Sequence, residues 1–103
     1  MPLVRISLRE GKTGEYKKAI ADGIHQAMVE AIDAPVQDRF QIVTEHPPGN
    51  LIYDPAYLGI QRTDDIVIVQ ITLSTGRKLA QKRKLFRRIT EILAENPACA
   101  HRT

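Results

Sequence analysis

Proline follows Met1, and the residues after it, Leu-Val-Arg-Ile-Ser-Leu, alternate in polarity. Proline has no backbone N–H to offer a sheet, and a strand accepts it most readily at its first position. One reading of Pro2 is therefore a harmless strand opener. The other is chemical: once Met1 is trimmed, Pro2 becomes a secondary amine at the chain's end. An ordinary α-amino group titrates at about 7.7–8.0, near the pH at which a general base is most useful. The pyrrolidine ring fixes φ and so holds the nitrogen in one direction. A nearby cation would lower the amine's pKa further by disfavouring its charged form. Separately, Lys12 and Arg77 each follow a glycine at the end of an alternating segment. Their plainer reading is as solvated residues at helix starts.

Other chemistries lack their residues. His25, His46 and His101 show no metal-ligand spacing, and His46, before Pro-Pro-Gly, reads as a turn residue. No metal or other cofactor is expected. The single cysteine, Cys99, cannot pair within the chain, which suits a reducing, cytoplasmic location. Gly-Lys-Thr in EGKTGE lacks the earlier glycine of a phosphate-binding loop. Net charge is +3, and seven of the fifteen basic residues fall in GRKLAQKRKLFRR. Aromatic interleaving there is sparse, so the run reads as a solvated helix face and nucleic acid is not expected as a partner. No apolar run approaches the roughly 18 residues of a membrane span, and no charged-then-apolar leader is visible.

These residues must be positioned by a small fold. With 103 residues, 43% hydrophobic and 26% charged, the chain fits a single domain over 1–103. Alternation predicts strands over 3–8 and 39–45. The nearly continuous apolar run 66–73 predicts a third strand, buried on both faces. Helical spacing of Tyr16, Ile20, Ile24, Ala27, Met28 and Ala31 predicts an amphipathic helix over 15–32, ended by Asp-Ala-Pro. A second helix spans 78–95, with Leu85, Phe86, Ile89, Ile92 and Leu93 facing inward. Residues 51–65 read as a long loop, with a short strand at 51–53.

Sliding the chain by 65 positions lays Ile6 on Ile71, Leu8 on Leu73, Gly11 on Gly76, Lys12 on Arg77 and Ile24 on Ile89. Two βαβ repeats, about 2–45 and 66–103, are expected. The second is incomplete, because the counterpart of 39–45 would fall at 104–110. The expected architecture is α/β: a small mixed sheet with two helices on one face. Its central strands are 3–8 and 66–73, paired with each other.

Pro2 heading a strand, Glu-Gly-Lys at its end, and the stretches APVQDRFQIVTEHPPG, YLGIQRTDDIVIVQITLSTGR and QKRKLF together resemble the tautomerase superfamily. The likeness runs from Pro2 to about Asn96, and within the superfamily it points to the malonate semialdehyde decarboxylase branch and 4-oxalocrotonate tautomerase. It implies a trimer of βαβ repeats acting through an amino-terminal proline on small 2-oxo or enol carboxylates such as phenylpyruvate. By this resemblance Pro2 is the catalytic base and Asp38 the catalytic aspartate. Arg77 takes the place of a substrate-binding arginine, and Lys12 is its counterpart in the first repeat. Without the resemblance, Asp38 reads equally as a cap or as an ion pair with Arg39. The decarboxylase branch's two arginines would fall on Ser74 and Gly76. Keto–enol tautomerisation is therefore the expected activity. Decarboxylase-like or hydratase activity, or a non-catalytic assembly role, is the alternative.

Overall fold

A computed structural model describes residues 2–54, 56, 65–73 and 79–95. The elements run β1 (Leu3–Arg9), α1 (Gly14–Ile32), β2 (Gln41–His46), β3 (Val67–Thr72) and α2 (Leu79–Glu95). The sheet has the order β2-β1-β3. β1 runs parallel to β2, with Val4 opposite Gln41, and antiparallel to β3, with Arg5 opposite Gln70. A right-handed crossover through α1 is the ordinary way to join parallel neighbours such as β1 and β2.

Local chemistry sets the element ends. Gly11 turns the chain out of β1 at φ 102°, where a side chain would be strained. Thr13 then caps α1, its hydroxyl accepting from the Tyr16 amide at 3.0 Å. That cap is the role of the Gly-Lys-Thr segment in this fold. At the other end Asp33 takes the left-handed conformation at φ 57°. The Ala34 amide returns to the Met28 carbonyl at 3.2 Å, and the helix stops.

The alternation of β1 puts Val4, Ile6 and Leu8 on one face, each almost fully buried. Ile20, Ile24, Ala27 and Met28 of α1 and Leu85, Ile89 and Ile92 of α2 close over that face, so both helices cover the same side. Gly23 lets the helices approach: a Cβ there would meet Ile92 Cγ2 and Leu93 Cδ2, each at 3.0 Å.

Three expectations are corrected. β3 is not buried on both faces: Val67, Val69 and Ile71 pack towards the helices, while Ile68 is 43% exposed. With both helices on one side, nothing among the described residues covers the other. Phe86 is 57% exposed rather than inward. Leu85, Ile89 and Ile92 already fill the stripe at i, i+4 and i+7, and Phe86 stands about 100° round the helix from Leu85. Residues 51–53 are irregular, not a strand. Pro47 and Pro48 offer no amide donors, and the Asn50 amide closes a turn on the Pro47 carbonyl at 3.1 Å. Among the described residues no helix is long and apolar enough to cross a membrane.

Candidate active site

Pro2 stands at the entrance to the central strand and is buried. The next amide but one, on Val4, donates to the Phe40 carbonyl at 3.0 Å, which draws the segment before β2 alongside. That segment is itself tightly turned. The Asp38 amide donates to the Pro35 carbonyl and the Arg39 amide to the Gln37 carbonyl, both at 3.0 Å. From α1, His25 Nε2 reaches the Val36 carbonyl at 2.9 Å. A carbonyl only accepts, so the proton of that bond is on Nε2. The outcome is a shallow crevice, too tight to hold a water-sized sphere, in which Pro2 and Asp38 line one space with His25, Met28, Phe40 and Gln41.

Arg39 does not pair with Asp38, the plainer role its neighbour was open to. Its guanidinium donates to Asp22 Oδ1 at 2.7 Å and to Gln41 Oε1 at 2.8 Å. Asp22 also accepts from Lys18 at 2.6 Å, and these two hydrogen bonds, from Lys18 first and then Arg39, hold its carboxyl below the ordinary value near 3.8. The Asp38 carboxylate has no hydrogen-bond or ion-pair partner among the described residues. A half-exposed acid beside Pro2, with its neighbouring cation committed elsewhere, is available to hold positive charge on a nitrogen. No cluster of three or more metal-ligating side chains occurs among the described residues.

Two family models of the same description, tautomerase enzyme, match residues 2–60 and 38–102. The chain belongs to the tautomerase family. Among relatives, it is 41% identical to the probable tautomerase YrdN of Bacillus subtilis, covering 90% of this chain and 71% of that one. The probable tautomerase YusQ of the same organism is 37% identical over 86% of this chain and 70% of its own. Among solved structures, FG41 malonate semialdehyde decarboxylase inhibited by 3-bromopropiolate is similar at 42% identity and TM-score 0.79, covering 89% of this chain and 70% of that one. Another malonate semialdehyde decarboxylase, solved in wild-type form, with its first proline changed to alanine, and inactivated, matches at 30% identity and TM-score 0.86 (96% and 74% coverage). An asymmetric trimer of a fused 4-OT matches at 27% identity and TM-score 0.73 (89% and 72% coverage).

The remaining expected residues of this tautomerase are spread apart. Lys12 lies beyond the far end of β1, and seven strand residues separate it from Pro2, roughly 23 Å of extended chain. It forms an ion pair with Asp65 and sits 5.2 Å from the Tyr16 ring centroid. One protomer does not bring Lys12 to Pro2. Arg77, Ser74 and Gly76 lie outside the described residues. β3 ends with Thr72 opposite Leu3, so the chain leaves the sheet at the Pro2 end five residues before Arg77. Sequence reasoning missed His25 and Phe40 as lining residues. The available signal was that His25 precedes Met28 by three positions, which places both on one face of α1.

Proposed function

We propose that this tautomerase interconverts the enol and keto forms of a 2-oxo acid of the phenylpyruvate kind, with Pro2 as the base. The observation that carries the reading is the shared cleft of Pro2 and Asp38, with the Asp38 carboxylate left unbonded. With Met1 removed, the neutral Pro2 nitrogen takes the enol O–H proton. The oxygen lone pair forms C=O, the C=C pair moves to C3, and C3 takes a proton from the prolinium. The amine ends as it began. Asp38 stabilises the prolinium between the two transfers. Arg77 holds the substrate carboxylate with its guanidinium fork and lowers the free amine's pKa.

Within one protomer the crevice has no room for even a water-sized sphere, far short of the roughly 300–1,000 Å³ of a small-molecule site. Its other walls come from a neighbouring subunit in a homo-oligomer, and the trimeric 4-OT relative supports three-fold assembly. Lys12, remote within one protomer, reaches a Pro2 site only across such an interface.

The test is ketonisation of phenylpyruvate enol, read by ultraviolet absorbance, together with the intact mass. The mass is expected to lack Met1. Pro2→Ala is expected to lose most of the rate. Asp38→Asn should lower kcat, and Arg77→Ala should mainly raise KM, since it grips the carboxylate in both ground and transition states. Retained Met1, or an unchanged Pro2→Ala rate, would refute Pro2 as the base, and no rate above the uncatalysed one in the parent would favour a non-catalytic assembly role. A second reading, decarboxylation or hydration of malonate semialdehyde, draws support from the 42% identity to a decarboxylase and from Asp38. Ser74 and Gly76 supply no cation, so slow carbon dioxide release is expected. Efficient release would replace the first reading with the second.

A further inference from the structure

Asp38 belongs to a short stretch that leaves one helix and enters the sheet. α1 ends at Ile32 and β2 begins at Gln41. Between them Pro35 has no amide to donate, and Val36 and Gln37 are exposed. The Asp38 and Arg39 amides close two small turns on the Pro35 and Gln37 carbonyls. Bonds of such short range curl the chain, but they do not fix where it lies against the helix.

Side chains of α1 do that, from both sides of Asp38. Two residues before it, the Val36 carbonyl accepts from His25 Nε2 at 2.9 Å. One residue after it, the Arg39 guanidinium donates to Asp22 Oδ1 at 2.7 Å. Asp22 and His25 are three positions apart, so they stand about one turn from each other on one face of α1. The second hold closes into a ring. Arg39 Nε donates to Gln41 Oε1, and Gln41 Nε2 donates to the Ala21 carbonyl beside Asp22, both at 2.8 Å. Gln41 is opposite Val4 of β1, and the Val4 amide donates to the Phe40 carbonyl at 3.0 Å. The ring therefore ties the helix to the strand that Pro2 opens. Asp38 lies between the two holds and shares the crevice with Pro2.

We propose, on the reading that Asp38 assists Pro2, that His25 and Asp22 are positioning residues. From α1 they grip the 35–40 segment at Val36 and Arg39, and so keep the Asp38 carboxylate against Pro2. Neither exchanges a proton with substrate; each acts through the acid it places. A shift of about 1 Å at a reacting group can cost roughly a hundredfold in rate, and a segment released at one hold has that freedom. The two holds differ in kind. The Asp22–Arg39 pair is solvated, with side chains 40% and 38% exposed, and salt screens it. The His25 bond joins a neutral donor to a carbonyl, which makes His25 the sharper test.

The experiment compares variants at His25 in phenylpyruvate enol ketonisation, each with and without Asp38→Asn. His25→Phe keeps a ring and removes the donor. It is expected to lower kcat about tenfold while KM moves less than about twofold, since the groups that bind substrate are unchanged. His25→Gln, whose amide reaches the place of Nε2, should restore most of the rate. His25→Asn stops short of the carbonyl and should not, and it replaces the phenylalanine variant if circular dichroism shows that ring to disturb the fold. Coupling is the deciding readout. In the His25→Phe protein the further loss from Asp38→Asn should be about tenfold smaller than in the parent, because a displaced acid has less to lose. Asp22→Ala should show the same coupling. A merely structural role would leave the Asp38→Asn factor the same in every background. Additive losses at His25 or Asp22, or a parental rate in His25→Phe, would overturn the proposal while leaving Asp38 its role. A parental rate in Asp38→Asn alone would remove the underlying reading, and the proposal with it.

Discussion

Asp22 accepts one hydrogen bond from Lys18 and another from Arg39, and through Arg39 it fixes the turn that presents Asp38. Because the folded state holds the Asp22 carboxyl below its ordinary value, folding favours the ionised form. The sign of the linkage follows. The stabilisation is complete above the unfolded value, near 3.8, and is lost as pH falls through the lower folded one. Both pairs are solvated, Asp22 being 40% exposed, so the contribution is expected to stay under about 1 kcal/mol. Asp22→Asn should lower Tm modestly at neutral pH, and the gap to the parent should close as pH drops below the carboxylate range. Thermal melts at pH 7 and pH 3 measure this. A gap that widens in acid would assign the loss to something other than these bonds.

The helices are held by a stripe on each and by one missing side chain. Helix propensity alone favours Gly23→Ala by about 1 kcal/mol, but a Cβ at 3.0 Å from both Ile92 and Leu93 forces those branched side chains to give. The two effects oppose, so alanine is expected to be nearly neutral. A larger residue has no such balance. Gly23→Leu should destabilise by about 1–3 kcal/mol, the range for overpacked cores, and should separate α2 from α1. Urea denaturation of both variants decides it. If Gly23→Leu were neutral, the helices would not be packed as closely as Gly23 requires. Ile24→Ala, at a site with no exposure, offers the complementary case, since a cavity there should cost about 2–5 kcal/mol.

At the scale of the molecule, one sheet face carries both helices and the other is bare among the described residues. Arg5 and Gln70 mark its centre, with Ile42 (41% exposed) and Ile68 (43% exposed) on either side. Apolar residues so placed suit an interface between protomers more than a solvated surface. Sedimentation of the 103-residue chain is expected to show association that weakens on dilution. Ile68→Asp should shift the population to monomer with the helix content retained. Because the proposed site draws walls from a neighbour, enol ketonisation should fall in parallel with association. Monomerisation at full activity would confine the site to one chain.

Alternating residues in β1 and helical stripes in α1 and α2 carried the element order and the inward face of β1. Short-range polarity patterns report directly on which side of an element meets the core. Matching glycines and cations 65 positions apart carried the pairing of β1 with β3. Pro2 was singled out as a candidate because, with Met1 removed, a terminal secondary amine would be a chemical property of one position. Burial of β3 and Phe86 was misread. An apolar residue records that a surface can be covered, not whether a neighbour is there to cover it. That Arg39 turns to Asp22 and leaves Asp38 unbonded, and that His25 braces the turn, were decided by tertiary structure alone. Each depends on distances between elements remote in sequence, and those are set by how the helices pack on the sheet.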